Sequence, residues 1–224
     1  MKIEQIKQAR SNRKTRYARP FSNFFESSEQ CLAAGNLLLE GSLDAKIVSL
    51  IERSVIISTV TAIEVYYRDI LDFIFKYCDP VFFKSHLKNL YPDKFDIYDL
   101  IDIHVHSVHP LEIVSAAQSF QNVKRINEVF SKLMGGKDLW TSISNLKLRL
   151  KDQPETETSF SGDGYKSLDR IFNLRHELVH DPARHSFYSA DIHKDLEASI
   201  SIVFGSDVIL SQLIEENKDP ELLN

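Results

Sequence analysis

The amino-acid sequence predicts an all-α fold, a helical bundle with long antiparallel helices. Apolar residues recur at spacings of three and four from end to end of the chain, which is the pattern of amphipathic helices. Runs that alternate between apolar and polar residues, as half-buried strands require, are nearly absent. The chain of 224 residues has only seven glycines and seven prolines, so long segments are free of helix breakers.

The first half of the chain predicts two long helices. Apolar residues at roughly helical spacing predict a helix from Phe21 to Leu39, and Gly41 is suited to end it. Asp44 is a good N-cap for a second helix, which continues for about thirty residues without glycine or proline. We expect this second helix to be the central element of the bundle.

Prolines mark the shorter helices in the middle of the chain. Pro80 and Pro92 bracket a short amphipathic helix. Pro110 is placed to begin another helix, which we expect to continue as far as the Gly-Gly pair at 135–136.

The last third of the chain predicts three helices and one loop. A short helix is expected over Trp140–Leu150, followed by a surface loop over residues 151–164 that is rich in glycine, serine, threonine and acidic residues. The helical pattern then returns and stops at Asp181, because a residue that precedes proline, here Pro182, is disfavoured in the α conformation. The last long helix is predicted from about Ser189 to Ile214.

These elements predict one helical domain over residues 21–216, preceded by a basic N-terminal arm over 1–20 and followed by a C-terminal tail over 217–224. The arm carries seven lysines and arginines and a single glutamate, whereas the whole chain has a net charge of −5. Such an arm can contact phosphate backbones, or it can be a solvated amphipathic segment, and the sequence leaves both interpretations open.

Cysteine usage and hydropathy predict a cytoplasmic protein. Cys31 and Cys78 lie far apart without C-x-x-C spacing, so neither a disulfide framework nor a cysteine zinc site is indicated. The longest apolar stretch, Val55–Ile63, is too short to cross a membrane, and the N-terminus lacks the apolar core of a secretory signal. We therefore expect no membrane association.

The segment from Arg170 to Asp181, R-I-F-N-L-R-H-E-L-V-H-D, carries two overlapping motifs. His176, Glu177 and His180 spell H-E-x-x-H, which places two imidazoles on one helix face for zinc and a glutamate as general base. Composition alone would give roughly 0.02 such matches.

The surroundings of this motif do not favour a zinc enzyme. A catalytic zinc needs a third protein ligand, and the extension typical of metzincins is missing. His185 is out of register by one residue, and Glu197 on the next helix is the remaining candidate. A zinc-dependent hydrolase is accordingly the third of three functional alternatives.

The second motif is Arg175 followed by four residues and then His180, with His176 directly after the arginine. In a chain that is helical throughout, this R-x(4)-H at the end of the penultimate long helix resembles the HEPN superfamily. The segment T-A-I-E-V-Y-Y-R-D-I-L of the central helix adds to the resemblance, and Glu64 and Arg68 are secondary candidates there. As a pair four residues apart, they also have the spacing of a helix-surface ion pair.

The resemblance implies a metal-independent ribonuclease that uses no cofactor and acts on RNA, in a toxin, defence or stress-response role with an antitoxin or regulatory partner. The catalytic residues would be Arg175, His180 and His176. Arg175 can hold a phosphate bidentately, His180 can transfer the proton, and His176 can orient or assist. A non-catalytic HEPN-like module for dimerisation or RNA binding is the second alternative.

The spacing within the motif also bears on the oligomeric state. Five residues at 100° each place Arg175 and His180 about 140° apart around a helix, so one helix does not make a compact site. The resemblance implies a two-fold homodimer in which the motifs of both subunits meet in one cleft. In the structural alternative, Arg175 pairs with a carboxylate and His180 caps carbonyl groups at the helix end.

Other motifs carry weaker signals. His104, His106 and His109 precede Pro110, and three imidazoles could bind zinc, although their spacing suits a strand or loop and they are also typical of exposed loop histidines. Asn173 is a lesser candidate on the motif helix. Glycine-rich phosphate loops and a G-x-S-x-G nucleophile motif are missing, which excludes nucleotide or ester hydrolysis by those routes.

Overall fold

The computed structural model describes residues 3–13, 19–41, 43–91, 95–150, 153–181 and 187–223. Over these residues the chain is almost entirely helical, and the prediction of an all-α protein is confirmed apart from one small hairpin. In chain order the elements are α1 (Ile3–Arg13), α2 (Pro20–Glu40), α3 (Ala45–Tyr77), α4 (Pro80–Leu90), α5 (Ile97–Val105), α6 (Pro110–Ala116), α7 (Val123–Leu133), α8 (Leu139–Ser144), β1 (Lys147–Leu150), β2 (Gln153–Ser159), α9 (Gly164–His180) and α10 (Ala190–Glu216), followed by a 3-10 turn (Pro220–Leu223).

Helix α3 is the central element of the fold, as the sequence predicts. Asp44 caps it by accepting a hydrogen bond from the backbone N–H of Lys46 at 2.9 Å. Its 33 residues span about 50 Å at 1.5 Å each, and a mainly apolar face that includes Ile56, Ile63 and Ile74 is buried along it. The rest of the main core packs against this face.

Helices α2, α9 and α10 complete the main bundle around α3. Gly41 ends α2 with a φ of 68°, the left-handed conformation that glycine adopts at little cost, and the chain reverses there so that α2 packs along α3. Helix α10 packs chiefly on α9 and also on α2 and α3. Helices α7 and α8 cover another side of this bundle, where Ile126, Phe130 and Leu139 are fully buried.

A second, smaller apolar cluster holds the N-terminal helix. Ile3 and Ile6 of α1 are buried against Ile103, Val108 and Ile113, on and around α5 and α6. The basic arm therefore contains a packed helix, and its residues 14–18 lie outside the described part of the chain.

The single helix predicted after Pro110 is instead two helices, α6 and α7. The Gln118 side chain, 3% exposed, donates hydrogen bonds to the backbone oxygens of Leu90 and Val114, both at 2.9 Å. Asn122 then caps α7 by accepting from the N–H of Arg125 at 2.7 Å. In a continuous helix the carbonyl of Val114 and the N–H of Arg125 would pair with other backbone groups. Here the side chains of Gln118 and Asn122 bond to them instead, so the helix can break between α6 and α7.

The hairpin also differs from the sequence prediction. The helix expected over Trp140–Leu150 ends at Ser144, and β1 follows it. Strand β2 occupies much of the stretch that was predicted as a loop over 151–164, whose first two residues lie outside the described part of the chain. β1 and β2 pair antiparallel and carry an ion pair of Lys147 with Glu157 at 2.9 Å. A hairpin this short and polar leaves almost no hydropathy signal.

Of the described helices, α10 alone is long and apolar enough to cross a membrane, judged only by length and composition. A core helix passes the same test, and α10 contributes Leu196, Val203 and Leu210 to the buried core.

We predict that Gly205→Val in α10 lowers the free energy of unfolding by about 1–3 kcal/mol, as overpacking of a filled core does. A Cβ atom at Gly205 would lie 2.7 Å from Cγ2 of Ile143 and 3.2 Å from the ring of Phe160. Urea unfolding checks this. The matched control is Gly162→Val, where a Cβ would meet nothing nearer than 3.9 Å, and a loss at Gly162 as large as that at Gly205 would contradict the packing argument.

Candidate functional site

The motif residues occupy the last two turns of α9. The helix ends at His180, with the backbone N–H of Asp181 bonded to the carbonyl of Glu177 at 2.7 Å, so the predicted stop before Pro182 is confirmed. The apolar face of α9, which includes Ile171 and Leu178, is buried against the bundle. This packing fixes which motif side chains point inward and which face outward.

Arg175 is half-buried, because it lies four residues after Ile171 and three before Leu178 on the inward face. Its Nε atom is inaccessible to solvent and has no hydrogen-bond partner among the described residues. No carboxylate in the described part of the chain forms an ion pair with it, so the structural alternative in which Arg175 pairs with a carboxylate finds no support here. A buried polar atom of a guanidinium is costly to leave unpaired, and among the described residues Arg68 Nε and Thr59 Oγ1 are in the same state.

His176 and His180 lie together on the outer side of α9. Both are exposed, and their ring centroids are 4.4 Å apart with the rings inclined at 61°. Neither ring caps a backbone carbonyl of the described residues. The sequence therefore predicted the proximity of these two imidazoles correctly, since four residues make slightly more than one helical turn.

The structure does not bring Arg175 and His180 into contact within one chain. No hydrogen bond or ring contact among the described residues joins them, and one side chain turns inward while the other is exposed. A single α9 offers an arginine and a histidine pair on different faces, as the 140° separation predicts.

Two neighbouring residues of α3 hold the end of α9 and the segment that leads into α10, and sequence reasoning missed both. Arg53 Nη1 donates to the carbonyl oxygen of Leu178 at 2.9 Å, one of the carbonyls that a helix end leaves without an intrahelical partner. Glu52 is 1% exposed and accepts hydrogen bonds from the backbone N–H groups of Phe187 and Tyr188 at 3.2 and 3.3 Å. The available signal was a charged pair, Glu52-Arg53, inside an otherwise apolar helix face.

Exposed apolar side chains flank the motif. Ile47 and Leu50, six and three residues before Arg53 on α3, are 49% and 67% exposed, and Val179 on α9 is 49% exposed. The bond from Arg53 to Leu178 brings these two helix ends together. We call Ile47, Leu50 and Val179 the apolar rim.

No group of three or more histidine, cysteine or acidic side chains in the described part of the chain is placed to hold a metal ion. Glu197, the candidate third ligand, instead lies 3.7 Å from Nε2 of His193. His185 falls outside the described residues. Within these bounds the structure adds no ligand to His176 and His180.

The histidine cluster before Pro110 has a structural explanation in part. His104 is an exposed residue of α5, and His106 follows the end of that helix. His109 caps α6, because its Nδ1 accepts from the N–H of Leu111 at 3.2 Å. The expectation of a strand or loop is confirmed for His106 and His109, which lie in the connection between α5 and α6, and is wrong for His104, which is helical.

The remaining sequence candidates lie in polar contacts of their own. Arg68 Nη2 donates to Glu64 at 2.9 Å, and Gln121 donates to the other oxygen of the same carboxylate at 2.9 Å. Asn173 donates to Asp169 at 3.3 Å on the exposed side of α9. None of these contacts reaches Arg175 or the two histidines.

Comparison of this chain with family models, with curated proteins and with solved structures found no match.

We predict a pH-dependent contribution from Arg170 and Asp195, which join α9 to α10 through two hydrogen bonds of 2.7 and 2.5 Å. The Arg170 guanidinium holds the pKa of Asp195 below its usual range. The carboxylate therefore stabilises the fold above its unfolded pKa of about 3.9, and the contribution is lost as the pH falls through the lower folded value.

Accordingly, Asp195→Asn should cost about 1 kcal/mol of unfolding free energy at pH 7, a modest value because Arg170 is largely exposed. The difference from wild type should shrink below about pH 4. Urea unfolding at both pH values measures it, with Asp191→Asn, an exposed aspartate of the same helix, as the control. A difference that does not change with pH would refute the electrostatic explanation.

Proposed function

We propose that this chain is a metal-independent endoribonuclease of the HEPN type that acts as a two-fold homodimer in the cytoplasm, in a toxin, defence or stress-response role. The observation that carries the proposal is the half-buried Arg175, whose Nε has no partner in the described residues, one position before an adjacent pair of exposed imidazoles. Because Nε is inaccessible to solvent, an RNA phosphate would bind to the terminal Nη atoms of this guanidinium. An antitoxin or regulatory protein would be its partner.

The chemistry requires only groups that the motif supplies. A base removes the proton of the RNA 2′-hydroxyl, and the resulting oxygen attacks the adjacent phosphorus. The bond from phosphorus to the 5′-oxygen breaks, and an acid protonates that leaving oxygen. The products are a 2′,3′-cyclic phosphate and a 5′-hydroxyl. We assign proton transfer to His180 with assistance from His176, and stabilisation of the phosphorane charge to Arg175.

A second copy of the chain resolves the separation of Arg175 and His180. In a two-fold dimer formed across the ends of α9, the arginine of one subunit and the histidines of the other can face one cleft. The apolar rim supports this arrangement, because Ile47, Leu50 and Val179 expose apolar surface beside the motif that a partner subunit would cover.

The main alternative is a non-catalytic HEPN-like module for dimerisation or RNA binding. The observation that favours it is that Arg175 turns inward on α9 while His176 and His180 are exposed. A single chain therefore does not assemble a catalytic site from these residues. A zinc-dependent hydrolase built on His176, Glu177 and His180 is the third candidate, and its activity would depend on bound metal.

We predict that the purified protein cleaves a labelled RNA in excess EDTA and leaves 2′,3′-cyclic phosphate ends. Arg175→Ala should lower the rate by about 10²- to 10³-fold, because a donor to the developing charge is lost. His180→Ala should lower it by about 10²- to 10⁴-fold, because proton transfer is lost. Denaturing gels and mass spectrometry of the products make the measurement.

Matched controls for these variants are Arg149→Ala and His104→Ala, which remove an exposed arginine and an exposed histidine outside the motif. Both should cleave as wild type does. If folded wild type binds RNA without cleaving it, the binding module replaces the enzyme. If cleavage stops in EDTA and returns with zinc, the zinc-dependent hydrolase replaces the metal-independent enzyme.

The composite cleft makes a separate prediction for mixed dimers. When inactive Arg175→Ala and inactive His180→Ala proteins are mixed and allowed to exchange subunits, the mixed dimer combines an intact Arg175 from one chain with an intact His180 from the other. Cleavage should therefore return to a substantial fraction of the wild-type rate. Activity that never returns after verified subunit exchange would exclude a site shared between subunits.

The apolar rim provides the control for that experiment. Leu50→Asp places a charge on a residue that is 67% exposed in the single chain, so the fold should tolerate it while the dimer weakens. The molecular mass measured by light scattering and the rate of RNA cleavage should fall together. Val81→Asp, at a position that is 81% exposed on α4, should change neither.

A further inference from the structure

A cavity of about 450 Å³ lies at the end of the bundle formed by the C-terminal halves of α3 and α10 and the start of α2. Its volume is within the range of small-molecule sites in proteins, about 300–1,000 Å³. Ile70, Phe73 and Tyr77, at spacings of three and four on α3, form an apolar wall. The rings of Phe73 and Tyr77 lie 4.9 Å apart, centroid to centroid, so the wall is largely aromatic.

The opposite wall comes from one face of α10, where polar side chains line the cavity together with Ile214. Asp207 and Ser211 lie four residues apart and both line the cavity. The buried hydroxyl of Tyr66 donates to Asp207 Oδ1 at 3.1 Å, which holds the carboxylate in place. No cation in the described part of the chain forms an ion pair with Asp207.

The other charged side chains that line the cavity are an ion pair and a single arginine. Lys218 lies 3.6 Å from Glu215, so these two compensate each other. Arg19 lines the cavity from the start of α2 without forming an ion pair with Asp207, and burial raises the pKa of that carboxyl above its usual value. The cavity therefore presents a carboxylate and a guanidinium, apart from each other, beside an aromatic wall.

Backbone hydrogen bonds join the chain segments beside the cavity. The N–H of Asp79 donates to the carbonyl of Asn217 at 2.9 Å, and the N–H of Asp219 donates to the carbonyl of Tyr77 at 2.8 Å. These bonds tie the chain after α10 to the end of α3. The predicted C-terminal tail thus begins as a packed segment, and it fixes Lys218 at the cavity wall.

We propose that this cavity binds a free α-amino acid with a large apolar side chain. The ammonium group pairs with Asp207, the carboxylate with Arg19, and the side chain packs on Phe73 and Tyr77. A zwitterion satisfies both separated charges at once, whereas a simple cation would face Arg19 and a simple anion would face Asp207. The aromatic wall selects against small or polar side chains, which would leave it in contact with water.

The experiment is isothermal titration calorimetry on the full chain with four probes. L-phenylalanine carries all three features, 2-phenylethylamine lacks the carboxylate, 3-phenylpropionate lacks the amine, and glycine lacks the side chain. L-phenylalanine should bind at least tenfold more tightly than each of the other three.

Variants locate the binding in this cavity. Asp207→Asn keeps an oxygen that can accept from Tyr66 but removes the charge, and it should weaken L-phenylalanine binding by about 10- to 100-fold, the value of a charge-assisted hydrogen bond. Ser211→Phe fills the cavity from an exposed position and should abolish binding. Asp191→Asn, the same change at the other end of α10, should leave binding as in wild type.

Three results would overturn the proposal. The first is that wild-type protein, shown to be folded by circular dichroism, does not bind L-phenylalanine at millimolar concentration. The second is that 2-phenylethylamine binds as tightly as L-phenylalanine. The third is that Asp207→Asn and Ser211→Phe both leave the affinity unchanged. The RNA cleavage assay is independent of this cavity, so failure here and failure of the proposed ribonuclease are distinguishable.

Discussion

The position of the motif depends on two consecutive charged residues of the central helix, Glu52 and Arg53. A carboxylate that is 1% exposed is expensive to bury unless hydrogen bonds compensate it, and Glu52 obtains two of them from the backbone at Phe187 and Tyr188. Arg53 meanwhile satisfies the carbonyl of Leu178 near the end of α9. One turn of α3 thus holds the chain on both sides of the connection between α9 and α10. Loss of either side chain would leave backbone groups unpaired where the last turn of α9 begins.

This constraint explains how Arg175 can remain half-buried although its Nε has no hydrogen-bond partner in the described part of the chain. Arg175 shares its helix face with Ile171 and Leu178, so the packing of α9 on the bundle determines its position. Leaving Nε unpaired lowers the stability of the fold, and the packing of α9 on the bundle must compensate for that loss. The two imidazoles need no such support, since one helical turn places them together.

The sequence was sufficient where the determining interactions are local. The start of α3 at Asp44, the end of α2 at Gly41 and the end of α9 before Pro182 each depend on residues within one turn of the boundary. The sequence failed where a side chain reaches across the fold. The break after α6 depends on Gln118 and the backbone of Leu90, 28 residues away. In the same way, the motif could be found on a single helix, but Arg53 acts on Leu178 across 125 residues, and no periodicity indicates such a partner.

The motif on α9 and the cavity lie beside opposite ends of α3, and this separation limits how they can affect each other. Arg53 and Phe73 are twenty positions apart, which corresponds to about 30 Å along a helix. Coupling over such a distance needs an element with two alternative arrangements, and the uninterrupted, deeply buried α3 offers none. Helix α10 also reaches both ends, but Gly205 at its middle is packed so closely against Ile143 that sliding would create a clash. A molecule bound beside Asp207 should therefore raise the stability of the whole fold by mass action while leaving the geometry of Arg175, His176 and His180 unchanged.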